Sequence, residues 1–363
     1  MGGFRGRARG AVSAPALQFV VPGSLFGATG GYHYDRRLLE GLQALGWRIT
    51  VRSLDAGFPF PTREALSRAA AVFASFPDGE LVLVDGLALG AMPEVLAPHA
   101  TRLCLVGLVH HPLAFESGLE PDVAEQLRHS ERAALRALRH VIVTSAFTRE
   151  GLASYEVPRA SISVVEPGTD AAPLAQGSHN DSPNILCVAN LIPRKGHDLL
   201  VEAMAALRHL RWQLTCAGST KRSPATHAAL LRQIDASGLE GRVRILGELD
   251  GAALEQCFVE ADLFVLPTRH EGFGMVIAEA LAHGLPVLAT RTGAIPELVL
   301  PDAGIVVPPD DPEALRQALS YLLTERDALA RLARGAREVR ARLPPWAQAC
   351  TRAAQILTEV TRR

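Results

Sequence analysis

No D-x-D triplet occurs in the 363 residues, so the chain has no obvious carboxylate pair for holding a divalent cation on a phosphate group. Cysteines are few: Cys104, Cys187, Cys216, Cys257 and Cys350 are scattered, odd in number and set among apolar residues. That pattern excludes a disulfide framework, and no His/Cys set has zinc spacing; it suits reduced thiols in a cytoplasmic protein. A G-x-S-x-G elbow and a G-x-G-x-x-G fingerprint are also missing, which argues against a serine hydrolase and a dinucleotide enzyme. With a net charge of −1 there is no broad footprint for nucleic acid. No apolar run approaches the roughly 20 residues of a membrane span.

What is present is core. Hydrophobic residues make up 48% of the chain, enough for two ordinary domains. In the first half, short β-rich runs (LQFVVPG, RITVRSL, LVLVDG, RLCLVGLVH, HVIVTS, SISVVEPG) alternate with helical patterns. The second half repeats the arrangement with NILCVAN, WQLTCAG, RVRILGE, LFVLPT, PVLAT and GIVVPP. Continuous apolar runs suit parallel strands buried on both faces, so the fold class is α/β, with two Rossmann-like doubly wound domains. The expected boundaries are a disordered tail over 1–14, a first domain over 15–170, a linker over 171–183 and a second domain over 184–343. A last helical stretch over 344–363 follows Pro344 and Pro345. A long helical pattern is expected over 312–341. Arg5, Arg7 and Arg9 of the tail offer at most a peripheral contact with anionic lipid at an inner membrane face.

Open α/β sheets bind ligands beyond the carboxyl ends of their strands, and two such domains place the site in the cleft between them. At one strand end the chain reads RHEGFGMVIAEALAHG, with Glu271 and Glu279 eight positions apart around a glycine turn. The helix that follows presents its first amides, near Gly274, Met275 and Val276, to an anion such as phosphate. Glu279, one turn in, leans back toward that anion. A phosphate bracketed by two hydroxyl-binding carboxylates describes a nucleotide sugar. The spacing alone equally admits a helix-terminal charge and a solvated helix face.

A second cluster, VANLIPRKG, brings Asn190, Arg194 and Lys195 off a strand end, where two cations can neutralise a diphosphate. In the first half, Gly30 and Gly31 permit close backbone approach, and His110, His111 and Glu116 follow a strand. The Pro112–Pro121 loop reads either as an apolar acceptor surface or as a packed lid.

These pieces resemble family-4 glycosyltransferases, which are retaining, metal-independent enzymes of GT-B fold. The resemblance runs in order from VANLIPRKGHDLLVEA through the E-x7-E segment to AGIVVPPDDPEAL, over about residues 184–325. It implies that Lys195 binds the donor diphosphate and Glu279 the ribose. Glu271 and the amides of Phe273, Gly274 and Met275 take the sugar and phosphate, and His110 lies near donor and acceptor. Base contacts are expected near Gly218–Lys221 and Gly247–Leu249. One departure is Asn190, where the family commonly carries an arginine five positions before the lysine; Arg194 is the candidate replacement.

The expected activity is sugar transfer from a UDP- or GDP-linked donor to a small-molecule, glycan or lipid-linked acceptor, with no cofactor. A phosphorylase, an epimerase and a silent nucleotide-sugar-binding subunit are the alternatives.

Overall fold

The computed structural model describes residues 14–27, 29–116, 118–179 and 181–362. The expected N-terminal tail lies almost wholly outside them. Each of the twelve apolar runs forms a strand. The first six are β1 (Ala16–Pro22), β2 (Arg48–Leu54), β3 (Leu81–Asp85), β4 (Cys104–Val109), β5 (His140–Val143) and β6 (Ile162–Val164). They pair in parallel in the order β2-β1-β3-β4-β5-β6. The second six are β7 (Asn184–Val188), β8 (Gln213–Ala217), β9 (Val243–Gly247), β10 (Leu263–Leu266), β11 (Val287–Thr290) and β12 (Gly304–Val307). Their order is β12-β11-β10-β7-β8-β9, also parallel. This is the GT-B architecture: two Rossmann-like sheets.

The sequence shows why each strand sits where it does. β3, β4, β10 and β11 are wholly buried and apolar except for the terminal Asp85 of β3 and Thr290 of β11, whereas β2, with Arg48 and Arg52, is an exposed edge. Strand order reverses between β1 and β3 in one sheet and between β7 and β10 in the other, and crevices open at those switch points. The helical pattern expected over 312–341 is two helices, Pro312–Thr324 and Arg326–Arg340, broken at Glu325 with non-helical dihedrals (φ −97, ψ 81). Packing overrides the periodicity: the first of the two lies on the helix His197–Ala206 and the second on the helix Met275–Ala282. Among the described residues no helix is long and apolar enough to cross a membrane.

The chain passes between the sheets twice. Residues 173–178 are fastened along the second sheet's domain: the amides of Ala175 and Gln176 donate to the carbonyls of His283 and Val259, both at 2.8 Å. The helix Trp346–Thr361 buries Trp346, Cys350, Ile356 and Leu357 in the same core as Leu17 and Phe19 of β1. Both passages meet at Gly168, where a Cβ would stand 2.2 Å from the backbone of Trp346, and the Thr169 amide donates to Pro344 O at 2.8 Å. Backbone on both sides leaves nothing flexible to yield. Gly168→Ala is therefore expected to lower the melting temperature by a few degrees, as overpacking costs about 1–3 kcal/mol. Calorimetry reads this directly, and an unchanged transition would show that the crossing gives way freely.

Candidate functional site

At the second switch point, the loop after β7 runs through a 3-10 turn, Pro193–Lys195, into Gly196 and the next helix. The loop after β10 lies against it. Arg269 ties the two, donating to Asp198 at 2.7 and 3.0 Å and to Asp310 at 2.7 Å. This tie presents Lys195 to Glu271, and the ammonium donates to Glu271 Oε2 at 2.5 Å. Burial by itself raises the Glu271 carboxyl, but Lys195 and then Arg194 outweigh it and hold Glu271 below the ordinary glutamate range.

Lys195 lines a cavity of about 710 Å³ between the two domains. Asn190, Gly218, Ser219, Leu249, Met275, Val276 and Glu279 line it from the second domain. Gly274 starts the helix Met275–Ala282 in the left-handed region (φ +96), which a glycine adopts without strain, and the helix's first amides lack intrahelical acceptors. The Glu279 carboxyl has no hydrogen-bond partner among the described residues; burial, with Asp170 nearby, raises it to about 7. Asn190 accepts through Oδ1 from the Ser219 amide at 3.1 Å. The residue standing in for the family's arginine thus joins two strand-end loops instead of supplying charge.

From the first domain the cavity is lined by Gly27, Thr29, Gly30, His33 and Arg36, with Trp346 from the last helix. Arg36 is engaged structurally, donating to the Leu25 and Gly27 carbonyls. Gly31 lies over His110: its Cβ position is 3.2 Å from the imidazole Cδ2. The His110 ring meets Tyr34 edge-on at 5.3 Å and directs Nε2 at Asp35 Oδ1, 3.1 Å away.

Three expected site residues, His111, Glu116 and Arg194, do not line the cavity but gather in a contact between the domains. His111 Nε2 stands 3.4 Å from Glu116 Oε2, and Arg194 Nε donates to Glu116 Oε1 at 2.9 Å. Arg194 also donates to His270 O at 2.9 Å, so its charge is spent on the first domain. Burial opposes ionisation of Glu116, but His111 and Arg194 bring it down to about 2. His270 sits among the rings of Phe115, Phe147 and His111; burial, with His111 and Arg194, lowers it to about 4. Leu113 is buried and its amide donates to Glu131 at 3.0 Å, so this part of the Pro112–Pro121 loop is a packed lid. The Phe273 side chain also faces inward, against Ala278 and Ala294, leaving only its backbone for a ligand.

Sequence reasoning passed over Asp35, Asp85, Arg269 and Thr29. For Asp85 a signal was present: an acid closing a wholly apolar strand run, LVLVD, is costly unless it is used there.

Residues 182–325 match the family model described as "Glycosyl transferases group 1". The chain is 35% identical over 169 residues to the GDP-mannose-dependent monoacylated alpha-(1-6)-phosphatidylinositol monomannoside mannosyltransferase of Corynebacterium glutamicum, covering 44% of this chain and 42% of that protein. It is 30% identical over 287 residues to the D-inositol 3-phosphate glycosyltransferase of Corynebacterium efficiens, covering 72% and 66%. It therefore spans less than two thirds of the length of these curated relatives. The structure is similar to sucrose-phosphate synthase from Thermosynechococcus elongatus, with a TM-score of 0.80 at 23% identity over 95% of this chain and 99% of the other. Two six-stranded Rossmann-like sheets give this chain the GT-B fold, and its second domain matches the group 1 glycosyltransferases over residues 182–325.

Proposed function

We propose that the protein transfers a sugar from a nucleoside diphosphate donor to an acceptor hydroxyl, with retention at the anomeric carbon and without a metal. The observation that carries this reading is one cavity holding a lysine, a helix N-terminus and an unpartnered carboxylate on adjacent strand-end loops. A diphosphate needs the first two and a ribose the third. Lys195 and the first amides of the helix Met275–Ala282 take the charge of the departing phosphate, in a cleft where such preorganised donors act most strongly. Glu279, ionised, accepts from the ribose hydroxyls. Glu271, held charged by Lys195, positions and stabilises instead of attacking, in keeping with a front-face route. His110 stands on the acceptor side.

A metal-free thermal-shift panel of UDP, GDP, ADP and their sugars tests the donor half. A ligand at a hundred times its Kd adds about 2.7 kcal/mol. One nucleotide that raises the melting temperature of the wild type names the donor, and proton NMR of the transferred sugar then reads the anomer. If none stabilises the protein, with or without magnesium, the reading fails. An inverted product would overturn retention alone.

A further inference from the structure

His110 rests on an arrangement that the reaction outline above leaves unused. Its Nε2 faces two carboxylates: Asp35 Oδ1 at 3.1 Å and Asp85 Oδ2 at 3.6 Å. Both aspartates are buried, with exposures of 0% and 1%. They come from separate elements, Asp35 from the second turn of the helix Gly30–Ala44 and Asp85 from the end of β3. Asp85 is fixed independently, because its Oδ1 accepts the Leu87 amide at 2.9 Å and caps a short helix. Asp35 Oδ2 is buried without a hydrogen-bond partner. The ring is clamped in this orientation by Tyr34 and by the backbone of Gly31.

The geometry points to Asp35 as a positioning residue that, with Asp85, keeps His110 an imidazolium whose Nε2–H is spent on the two carboxylates, so that His110 serves the transfer as a hydrogen-bond donor through Nδ1–H and not as a base. This rests on the transferase reading for its use, but not for its structure. Two ionised carboxylates on one ring nitrogen admit no tautomer with a lone pair on Nε2, since that lone pair would face two acceptors. A cation also compensates the buried negative charge, which otherwise costs several kcal/mol. The groups facing the ring are Asp35 and Tyr34 on one helix and Asp85 on β3; the hydroxyl of Tyr34 is engaged elsewhere, on Val165 O at 2.9 Å. Tyr32, on the first turn of that helix, is raised by burial and by Asp85 and stays neutral. The second domain contributes only backbone here, with Gly272 against His110 O. Burial lowers His110, but the two aspartates overcome it and lift it to about 10; burial also raises Asp35, to about 7, and the charge on His110 is what opposes that rise. A donor at Nδ1 suits a substrate oxygen gaining negative charge; a base there would compete with the leaving phosphate for the acceptor proton.

The test is nitrogen NMR of the histidine side chains in the intact protein, with His110 assigned by its loss in His110→Gln. In the wild type both His110 nitrogens should stay protonated from pH 6 to above pH 8. In Asp35→Asn the ring should lose a proton within that range. The Asp35→Asn rate should fall about a hundredfold at pH 8, the lower end of what a positioned proton donor contributes. The fall should shrink toward pH 6, with the donor KM little changed. A wild-type His110 that is neutral at pH 7 overturns the proposal, as does an Asp35→Asn profile parallel to the wild type's. One equivalent of divalent metal in the purified protein, lost in Asp35→Asn, would also overturn it by making the trio a metal site. Because the NMR reads protonation without turnover, failure of this inference is separable from failure of the transferase reading, which shows itself in nucleotide binding.

Discussion

Lys195→Met should reduce kcat/KM for the donor by roughly 10²- to 10³-fold and should also weaken the fold. The first effect follows from removing the side-chain cation nearest the expected diphosphate, where a single preorganised donor carries that much in other enzymes. The second follows from the partner left behind. Lys195 and Glu271 are 14% and 15% exposed at the side chain, and their pair is the main opposition to the burial of Glu271. Breaking such a pair from one side costs about 3–5 kcal/mol, because a carboxylate then stands buried and unmatched. The sign with pH follows. Glu271 is lowered in the wild type, so its contribution to stability is present above the ordinary glutamate value and is lost as pH falls through its folded value. In Lys195→Met the penalty is largest at high pH, where Glu271 must ionise without its partner. The double variant Lys195→Met/Glu271→Gln separates the effects: it should recover most of the melting temperature and none of the turnover. If turnover returned with stability, Lys195 would be a structural residue and the diphosphate would bind elsewhere.

Glu279→Gln should do the opposite, stabilising the free protein while impairing the site. Glu279 is raised from 4.5 to about 7 by burial and by Asp170. A carboxyl raised in the folded state favours folding fully below its unfolded value, and that advantage is lost as pH climbs to the folded value. Between pH 4.5 and 7 the wild type therefore loses stability through this group, by about 2–3 kcal/mol after allowance for water in the cleft. The glutamine variant escapes that loss. Its melting temperature should match the wild type's at pH 5 and exceed it at pH 8. Its nucleotide affinity should fall about 10- to 100-fold, the worth of hydrogen bonds to a charged acceptor. The wild type should bind nucleotide more tightly at pH 8 than at pH 6, with a proton released on binding. Calorimetry at the two pH values checks all of this. Equal melting temperatures at pH 8 would mean that Glu279 is solvated and carries no stored cost.

The sheets were legible because parallel strands buried on both faces must be continuous apolar runs, bounded here by turn residues. The glycine turn of the E-x7-E segment was legible because Gly274 stands where only a left-handed residue can begin the helix. Direction was not legible. Arg194 and Lys195 are neighbours in the chain, yet one lines the cavity and the other pairs with Glu116 across the domains. The turn Pro193–Lys195 sends successive side chains to different sides, and no one-dimensional pattern records which. Asp35 was hidden for another reason: on an amphipathic helix an aspartate next to Arg36 and Arg37 reads as surface, and only its burial beside His110 reveals it. The break at Glu325 was hidden because both halves keep one periodicity and are turned apart by what they pack on.

The double passage at Gly168 has a mechanical meaning. Two bodies tied together twice at one place cannot slide past each other there; the motion left to them is a turn about that place. Because residues 173–178 are sewn to the second domain, the compliant length is short, and most of the stretch that reads as a linker travels as part of a rigid arm. In such a turn displacement would grow with distance from the axis, least for the wall of the cleft beside Trp346 and most at the opposite rim. A ligand seated against the Trp346 side would feel almost the same surroundings open or shut, and the swing would be reported at the far end.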